Sequence, residues 1–420
     1  LYNYSFQEAV IELGKKAGVS ITQDKYNDYK DQDKIYSILQ TATEWFQKNI
    51  YSSDGENCLK YLQARKLSKK TIDKFQIGYS YNSKINLYKY LKEKLNKDED
   101  ILKSNLVKKD EKNNIKDYFY KRIIFPITDE RGKVVGFGGR ALGNANPKYI
   151  NSPESYFFKK RNLLYNLFNA KSTARKKNNL LICEGYMDVI SLNQNGIEGV
   201  VAPLGTAFTE NQLDLAWKFT SKPTIMFDGD SAGLRASFKL SLMALSLLKP
   251  NKFLQFINLK DDMDPENYIN KFTFKKLLIL LKKPIPLVDF IFQESIKAFS
   301  LQNADDKIAF DKYLDDLIDN IKDSKIKFFY KNEFKKLFFD RLRSRKNISL
   351  TTNSPPKIES CTPRPTLPKG RLFPQPLPPS PVACVFSGPA ARLLLPPSRQ
   401  AQRPVAHHPD LFFRPRSGQG

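Results

Sequence analysis

The sequence predicts an α/β protein, α+β overall, in which a parallel sheet with flanking helices is preceded by a mixed α/β basic subdomain and followed by a helical subdomain. Three observations predict this fold class. Short apolar runs alternate with helical intervals between Asn179 and Ile269, a hairpin pattern precedes them, and apolar residues at helical spacing follow from Phe272. At 420 residues, the chain has the length of about two or three domains.

The first segment, residues 1–32, is predicted to be a linker helix. Ser5 and Glu8 form a capping-box pattern before a run of apolar residues at helical spacing. A polar linker is expected after this helix, up to about Asp33.

The basic subdomain is predicted to span residues 33–170 and to begin with helices. Apolar residues recur at helical spacing from Ile35 to Ile50, and Cys58–Phe75 has the pattern of two short helices with a break in the middle. The charged stretch Lys92–Lys116 is expected to be a loop or a surface helix.

A β-hairpin is predicted next. Arg122–Thr128 and Lys133–Phe137 are strand-like runs, and Asp129–Gly132 joins them with a glycine at the end of the turn.

Residues 176–271 are predicted to form the parallel sheet. Four apolar runs alternate with helical intervals in a βαβαβαβ pattern, which is typical of strands buried on both faces. Ligand sites in such sheets lie at the carboxyl ends of the strands. The predicted strands are Leu180–Cys183, Gly199–Ala202, Thr224–Phe227 and Phe253–Leu259.

The remainder divides into a helical subdomain, residues 272–346, without any strand pattern, and a tail, residues 347–420. The tail holds 16 of the 25 prolines, a composition that forms no hydrophobic core. We interpret the tail as disordered or as artefactual.

Composition favours a polyanionic partner. Lys and Arg number 69 against 44 Asp and Glu, which gives a net charge of +25. The four cysteines form no C-x-x-C pair, so neither a zinc site nor a disulfide framework is indicated. The two histidines, His407 and His408, stand in the tail. The chemistry of the main body must therefore use carboxylates, Lys, Arg or hydroxyls.

Acidic residues follow three of the predicted strands. Glu184 follows the first strand with Asp188 four residues on, Asp228 and Asp230 follow the third, and Asp264-Pro-Glu266 comes after the fourth. One such residue alone is better explained as a helix N-cap. Several carboxylates at one sheet edge repel each other unless cations neutralise them, and Mg²⁺ prefers carboxylate oxygens. The sequence therefore predicts a divalent-metal site for phosphoryl transfer.

These motifs resemble the Toprim domain of bacterial DnaG-type DNA primases. The resemblance implies that Glu184, Asp228 and Asp230 are catalytic and bind the metal ions. Further metal ligands implied by it are Asp188, Asp264 and Glu266. The segments that carry it are Glu184–Val189, Val201–Thr209, Phe227–Gly233 and Asp264–Glu266.

Upstream, cations and an aromatic residue surround a glycine-rich stretch, Gly136–Arg140, which we expect to be a turn. The stretch is a poor dinucleotide fingerprint, because it follows a hairpin strand and leads into a loop. Tyr149 is expected either to stack on a base or to fill the core. These segments are similar to the basic motifs of the same primases, and the resemblance implies nucleotide or template binding by Arg122, Arg140, Lys148, Tyr149, Asn151 and Lys160.

The resemblance implies a DNA primase, a nucleotidyltransferase that synthesises short RNA primers on single-stranded DNA at replication forks. The implied cofactor is Mg²⁺ or Mn²⁺, and zinc is expected only in an amino-terminal domain that this chain lacks. The implied partners are template DNA, NTPs and, for the full-length protein, a replicative helicase whose binding domain is not expected here. A cytoplasmic location at the nucleoid and no membrane association are expected.

Two other classes of function stay open. Toprim domains also occur in nucleases and topoisomerases, so the acidic motifs alone indicate only phosphodiester chemistry. The charge alone would also suit a non-catalytic module that binds nucleic acid. A primase–helicase fusion is not supported, because the sequence has no G-x-x-x-x-G-K-[ST] loop.

Overall fold

The computed structural model describes residues 12–14, 16–18, 23–81, 86–95, 97–143, 146–205, 207–260 and 262–351. The capping-box pattern at Ser5 and Glu8 and the tail beyond residue 351 lie outside the described residues.

The amino-terminal part begins with a long helix, α1 (Gln23–Ile50). This helix starts inside the stretch predicted to be a polar linker, so that prediction was wrong. The polar stretch has no apolar stripe of its own, but it continues a helix whose buried residues begin at Ile35, and each added residue extends the helix by one hydrogen bond. The two predicted short helices follow as α2 (Glu56–Ala64) and α3 (Lys69–Lys74).

The charged stretch Lys92–Lys116 has more regular structure than the expected loop or surface helix. Ile101, Leu106 and Val107 are buried and attach it to the core, although lysines are the commonest residues in its sequence. Its elements are the end of α4 (Leu87–Leu95), α5 (Asp98–Lys103) and a hairpin of β2 (Val107–Lys109) with β3 (Ile115–Asp117).

A four-stranded antiparallel sheet follows, in the order β1-β4-β5-β6. The predicted hairpin is confirmed as its central pair, and Gly132 in the turn has a φ of +90°. The strands are β1 (Gly78–Ser80), β4 (Arg122–Thr128), β5 (Val134–Ala141) and β6 (Tyr149–Asn151).

The glycine-rich stretch Gly136–Arg140 lies inside strand β5, so the expected turn was wrong. Its glycines make room for aromatic rings. A Cβ atom at Gly136 would lie 2.6 Å from the ring of Phe158, and one at Gly138 would lie 2.7 Å from the ring of Tyr186. Close ring packing, rather than chain reversal, explains the glycines.

The tip of the hairpin contacts helix α6 (Leu167–Lys177). The ring of Phe168 lies 2.8 Å from the position that a Cβ atom on Gly132 would take. The Lys171 ammonium group donates a hydrogen bond to the carbonyl oxygen of Glu130. Helix α6 itself packs into the hydrophobic core of a second, six-stranded sheet, so the hairpin joins the two sheets.

The second sheet has six strands in the order β12-β11-β10-β8-β9-β7. Its four inner strands are parallel, as predicted, and both edge strands are antiparallel. Strand β12 corrects the prediction of a purely helical region after residue 272, since two residues are too few to show a pattern. The strands are β7 (Leu164–Tyr165), β8 (Leu181–Ile182), β9 (Val200–Pro203), β10 (Thr224–Ile225), β11 (Gln255–Phe256) and β12 (Ile285–Pro286).

Helices cover the six-stranded sheet and complete the carboxyl-terminal part. Those beside the inner strands are α7 (Tyr186–Gln194), α8 (Glu210–Ala216), α9 (Ser231–Leu245), α10 (Pro265–Phe272) and α11 (Phe274–Leu281). Those of the helical subdomain are α12 (Leu287–Ser295), α13 (Ala304–Asp319) and α14 (Ser324–Thr351).

Both faces of the six-stranded sheet are buried, and alternate residues of each strand enter different cores. Ile182 joins a cluster that contains Phe290 of the helical subdomain. Leu181 and Cys183 join another, which contains Phe125 of the four-stranded sheet. The two sheets therefore share this second cluster. Within the described ranges, no helix combines the length and apolar character needed to cross a membrane.

Candidate functional site: an acidic sheet edge beside a basic strand

The acidic residues follow strands β8, β10 and β11 at the carboxyl end of the six-stranded sheet. Glu184 follows β8 and Asp228 follows β10, and these two strands are adjacent and parallel. The backbone N–H of Asp228 donates a hydrogen bond of 3.0 Å to Glu184 Oε1. A Cβ atom at Gly233 would lie 2.6 Å from Glu184 Oε1 and 2.2 Å from the carbonyl oxygen of Asp228. The glycine therefore permits this close approach.

Asp230 and Asp264 are N-caps of the helices that leave this edge. Asp230 Oδ1 accepts hydrogen bonds from the backbone N–H groups of Ala232 (2.9 Å) and Gly233 (2.7 Å) at the start of α9. Asp264 Oδ1 accepts one of 2.6 Å from the N–H of Asn267 in α10. The N-cap interpretation is thus correct for both residues, and the capping hydrogen bonds hold their carboxylates at the edge.

Asp188 and Glu266 are the buried members of the group. Asp188 lies on α7 and is 9% exposed, while Glu266 lies on α10 and is 6% exposed. Burial raises the pKa of Asp188 well above its usual value, and the negative charge of Asp228 adds to this effect. Arg65 Nη1 forms an ion pair with Glu266 Oε2 at 3.4 Å, so Glu266 has a cationic partner within the protein.

The electrostatics of the edge suit a cation. Burial, followed by the charge of Glu184 and then of Asp264 and Asp230, raises the pKa of Asp228 to about 7. Asp228 Oδ1 is buried without a hydrogen-bond partner. A hard divalent cation would neutralise this charge and supply the missing partner. Among the described residues, no three His, Cys, Asp or Glu side chains are grouped closely enough to hold a metal ion.

The predicted basic residues take different places. Arg122 is 8% exposed, and its Nη1 donates hydrogen bonds to the carbonyl oxygens of Gly139 (3.3 Å), Pro147 (3.0 Å) and Lys148 (3.4 Å). Its guanidinium group holds the connection between β5 and β6. The side chain of Lys148 itself is exposed.

Tyr149 and Asn151 lie on β6 beside the acidic edge. Tyr149 is 39% exposed, so of the two expected positions the structure excludes the core. The hydroxyl of Tyr186 donates a hydrogen bond of 2.6 Å to Asn151 Oδ1, which ties β6 to helix α7. A cavity of about 250 Å³ is lined by Tyr149, Asn151, Glu184, Gly185, Tyr186, Pro203 and Gly205. The cavity lies between strand β6 and the acidic edge.

Lys160 is not among the residues that line this cavity. It begins the short 3₁₀ helix Lys160–Asn162. Gln212 Nε2 of α8 donates a hydrogen bond of 3.0 Å to the carbonyl oxygen of Lys160. Lys160 is thus attached to the six-stranded sheet domain by way of α8.

The sequence interpretation missed three residues of the site: Tyr61, Arg65 and Tyr186. The ring centroid of Tyr61 lies 4.4 Å from Arg140 Cζ, and Arg65 forms an ion pair with Glu266. Tyr61 and Arg65 lie on or next to α2, and nothing in their local sequence indicates a site. Tyr186 stands within the Toprim-like motif, so the sequence indicates that it lies near the site. Its contact with Gly138 could not be inferred from the sequence.

Comparisons with known proteins agree with this architecture. Residues 178–253 match the family model of the Toprim domain, and residues 45–171 match that of the DNA primase catalytic core, N-terminal domain. The fold and the acidic edge thus define a Toprim protein. The amino-terminal match separates it from the Toprim nucleases and topoisomerases, which the acidic motifs alone had left open.

The DNA primase of Rickettsia felis is 34% identical over 357 residues, which are 83% of this chain and 58% of that protein. A structure of the zinc-binding and RNA polymerase domains of the Aquifex aeolicus primase is 31% identical with a TM-score of 0.62, over 80% of this chain and 79% of that one. A DnaG primase catalytic domain bound to single-stranded DNA is 28% identical with a TM-score of 0.66, over 73% and 99%. The chain belongs to the family of bacterial DnaG-type DNA primases, and it contains their catalytic core.

Proposed function

We propose that this chain synthesises RNA primers, joining ribonucleoside triphosphates on a single-stranded DNA template with release of pyrophosphate. The observation that carries the proposal is the cavity between β6 and Glu184, because it places Tyr149, an exposed aromatic ring of the kind on which bases stack, next to the acidic edge. One structural relative, a DnaG primase catalytic domain, was solved bound to single-stranded DNA. The chain spans 58% of the length of the Rickettsia felis primase, so the proposal concerns the activity of this core.

Glu184, Asp228 and Asp230 are proposed to hold divalent cations, Mg²⁺ or Mn²⁺, with Asp188 and Asp264 close by. The unpartnered oxygen of Asp228 supports this assignment. Such cations, when bound, would activate the attacking hydroxyl and stabilise the leaving pyrophosphate. Asp230 would use one oxygen as a helix cap and the other as a ligand.

The basic residues are proposed to bind the triphosphate and the template. Arg140 is a planar donor suited to phosphate oxygens, and the exposed Lys148 adds charge at the same edge of β6. Tyr149 would stack on a base. Arg122 is buried, and its guanidinium group donates hydrogen bonds to backbone carbonyl oxygens. We therefore propose that it fixes the conformation of the loop that carries Lys148.

The substitution Asp228→Asn tests the catalytic proposal. We expect primer synthesis on single-stranded DNA with labelled NTPs to fall by more than about 100-fold, because even the outer partners of metal ligands contribute about 10- to 100-fold. Urea unfolding should show no loss of stability, because the change removes one of several repelling carboxylates.

The matched control is Asp214→Asn, at an aspartate on the exposed side of α8 that pairs with Lys252. This variant should keep its full primer yield, since exposed ion pairs contribute little. Unchanged primer yield in Asp228→Asn would contradict the assignment. Cleavage of DNA without NTPs would instead support a nuclease.

A further inference from the structure

Arg140 is held by aromatic rings beside the acidic edge. Its Cζ atom lies 4.4 Å from the ring centroid of Tyr61 and 5.8 Å from that of Tyr149. Its Nε is buried, and the described structure offers it no hydrogen-bond partner. Tyr61 and Tyr149 are therefore the contacts that orient this guanidinium group, through their ring faces and through a hydrogen bond between Arg140 and Tyr149.

An aromatic holder differs from a carboxylate in one important way. The face of a ring attracts a cation but carries no net charge, so Arg140 keeps its full positive charge. The N–H donors lie in the plane of the guanidinium group, and a ring stacked on its face leaves them free to point at a ligand. A carboxylate partner would neutralise the charge and occupy the same donors.

Glu266 is the carboxylate that could compete with a ligand for the guanidinium group of Arg140. Its side chain is 8% exposed, and a buried carboxylate requires a partner. Arg65 supplies it as an ion pair at 3.4 Å to Oε2, an atom that has no hydrogen-bond partner. Arg65 Cζ lies 5.9 Å from the ring centroid of Tyr61. After Arg65, the strongest positive influence on Glu266 is Arg140. Without Arg65, Arg140 is the stronger of the two remaining cations that act on Glu266, ahead of Lys66.

We infer that Tyr61 is a positioning residue for Arg140, and that the Arg65–Glu266 ion pair keeps Arg140 available for a nucleotide phosphate. Neither role requires Tyr61 or Arg65 to touch the nucleotide. The inference rests on the proposed function, in which Arg140 binds a triphosphate. It also assigns Glu266 to charge balance within the protein instead of to a metal ion.

The first test measures ATP binding in the presence of Mg²⁺ by isothermal titration. Tyr61→Leu should weaken binding by about 3- to 30-fold, the range of a cation–π contact that is partly desolvated. Tyr61→Phe keeps the ring face and should bind within about twofold of the unchanged chain. In an Arg140→Ala background, Tyr61→Leu should have no further effect.

The matched control is Tyr51→Leu, which removes another tyrosine that carries a cation, Lys69 at 5.5 Å, and should leave binding unchanged. Full binding by Tyr61→Leu, with Arg140→Ala impaired, would overturn the inference alone. Full binding by Arg140→Ala would overturn both the inference and the nucleotide role proposed for Arg140.

The second test does not depend on substituting Tyr61. Arg65→Gln should weaken ATP binding by about fivefold or more, the size of a modest ion pair, because Glu266 then pairs with Arg140. The double variant Arg65→Gln with Glu266→Gln should restore binding. Failure of this rescue would overturn the charge-balance role, since a direct contact of Arg65 or a metal-binding role of Glu266 predicts a double variant that is no better than the single one.

Discussion

At the scale of single residues, Asp230 shows that a structural role and a functional one can share a side chain. The sequence pattern allowed two interpretations of such a residue, a helix N-cap or a metal ligand. The structure shows that Oδ1 caps α9 by accepting two backbone hydrogen bonds. The cap fixes the carboxylate at the sheet edge, which is where the proposed site needs it.

Substitutions at Asp230 should separate these roles. Asp230→Ser retains an N-cap oxygen and should keep the stability of the unchanged chain in urea unfolding. Asp230→Ala should lose about 1 kcal/mol, the usual contribution of an N-cap. Mg²⁺ should raise the thermal unfolding midpoint of the unchanged chain, because a ligand that binds the folded state stabilises it, and both variants should lack this effect. An equal Mg²⁺ effect in Asp230→Ser would contradict the ligand role.

How much of the site could be predicted depended on where a residue stands in the chain. Glu184 and Asp228 directly follow apolar strands, and parallel strands bring their carboxyl ends together, so their proximity was visible in the sequence. Tyr61 and Arg65 reach the same place from a helix of the other subdomain. Their contacts with Arg140 and Glu266 depend on how the two subdomains pack, which no local pattern encodes.

At the scale of elements, strand β5 explains why the glycine-rich stretch was misinterpreted. Glycine is typical of turns, and a run of glycines is unfavourable in a strand because it leaves no side chains to pack. Here the rings of Phe158 and Tyr186 fill that space from neighbouring segments. The aromatic residues are far away in sequence, so the run looked like a turn.

Gly138→Ala should therefore destabilise the protein. The added Cβ atom would lie 2.7 Å from the ring of Tyr186, and overpacking of this kind costs about 1–3 kcal/mol. Urea unfolding measures the loss. The double variant Gly138→Ala with Tyr186→Leu should lose less stability than the sum of the losses in the two single variants, because the smaller side chain makes room for the added Cβ atom. Strict additivity would show that the ring does not cause the loss.

At the scale of the whole molecule, a shared hydrophobic cluster fixes the four-stranded sheet, which carries Arg140, relative to the acidic edge. Phe125 and Ile127 of the four-stranded sheet share a buried cluster with Leu181 and Cys183 of the six-stranded sheet. Each sheet could be predicted separately, since periodicity is a local property. Their common core could not, because both faces of each sheet are apolar and the sequence does not say which faces meet.

The net charge of +25 should make DNA binding strongly dependent on salt. Each phosphate contact with single-stranded DNA contributes about −0.7 to the slope of log affinity against log salt concentration. Lys148→Gln should reduce the steepness of that slope by about 0.7, as measured by fluorescence anisotropy. Lys325→Gln, which changes the net charge equally at an exposed position of α14, should leave the slope unchanged. Equal slopes for all three proteins would remove Lys148 from the template contacts.

The hairpin tip has a mechanical consequence. Strand β5 is supported near both ends: Phe168 of α6 contacts its turn at Gly132, and Tyr186 of α7 fills the space at Gly138. A strand that is packed against other elements near both of its ends moves less than one that is packed at a single end. We therefore expect the gap between Arg140 and the acidic edge to be set before any ligand binds.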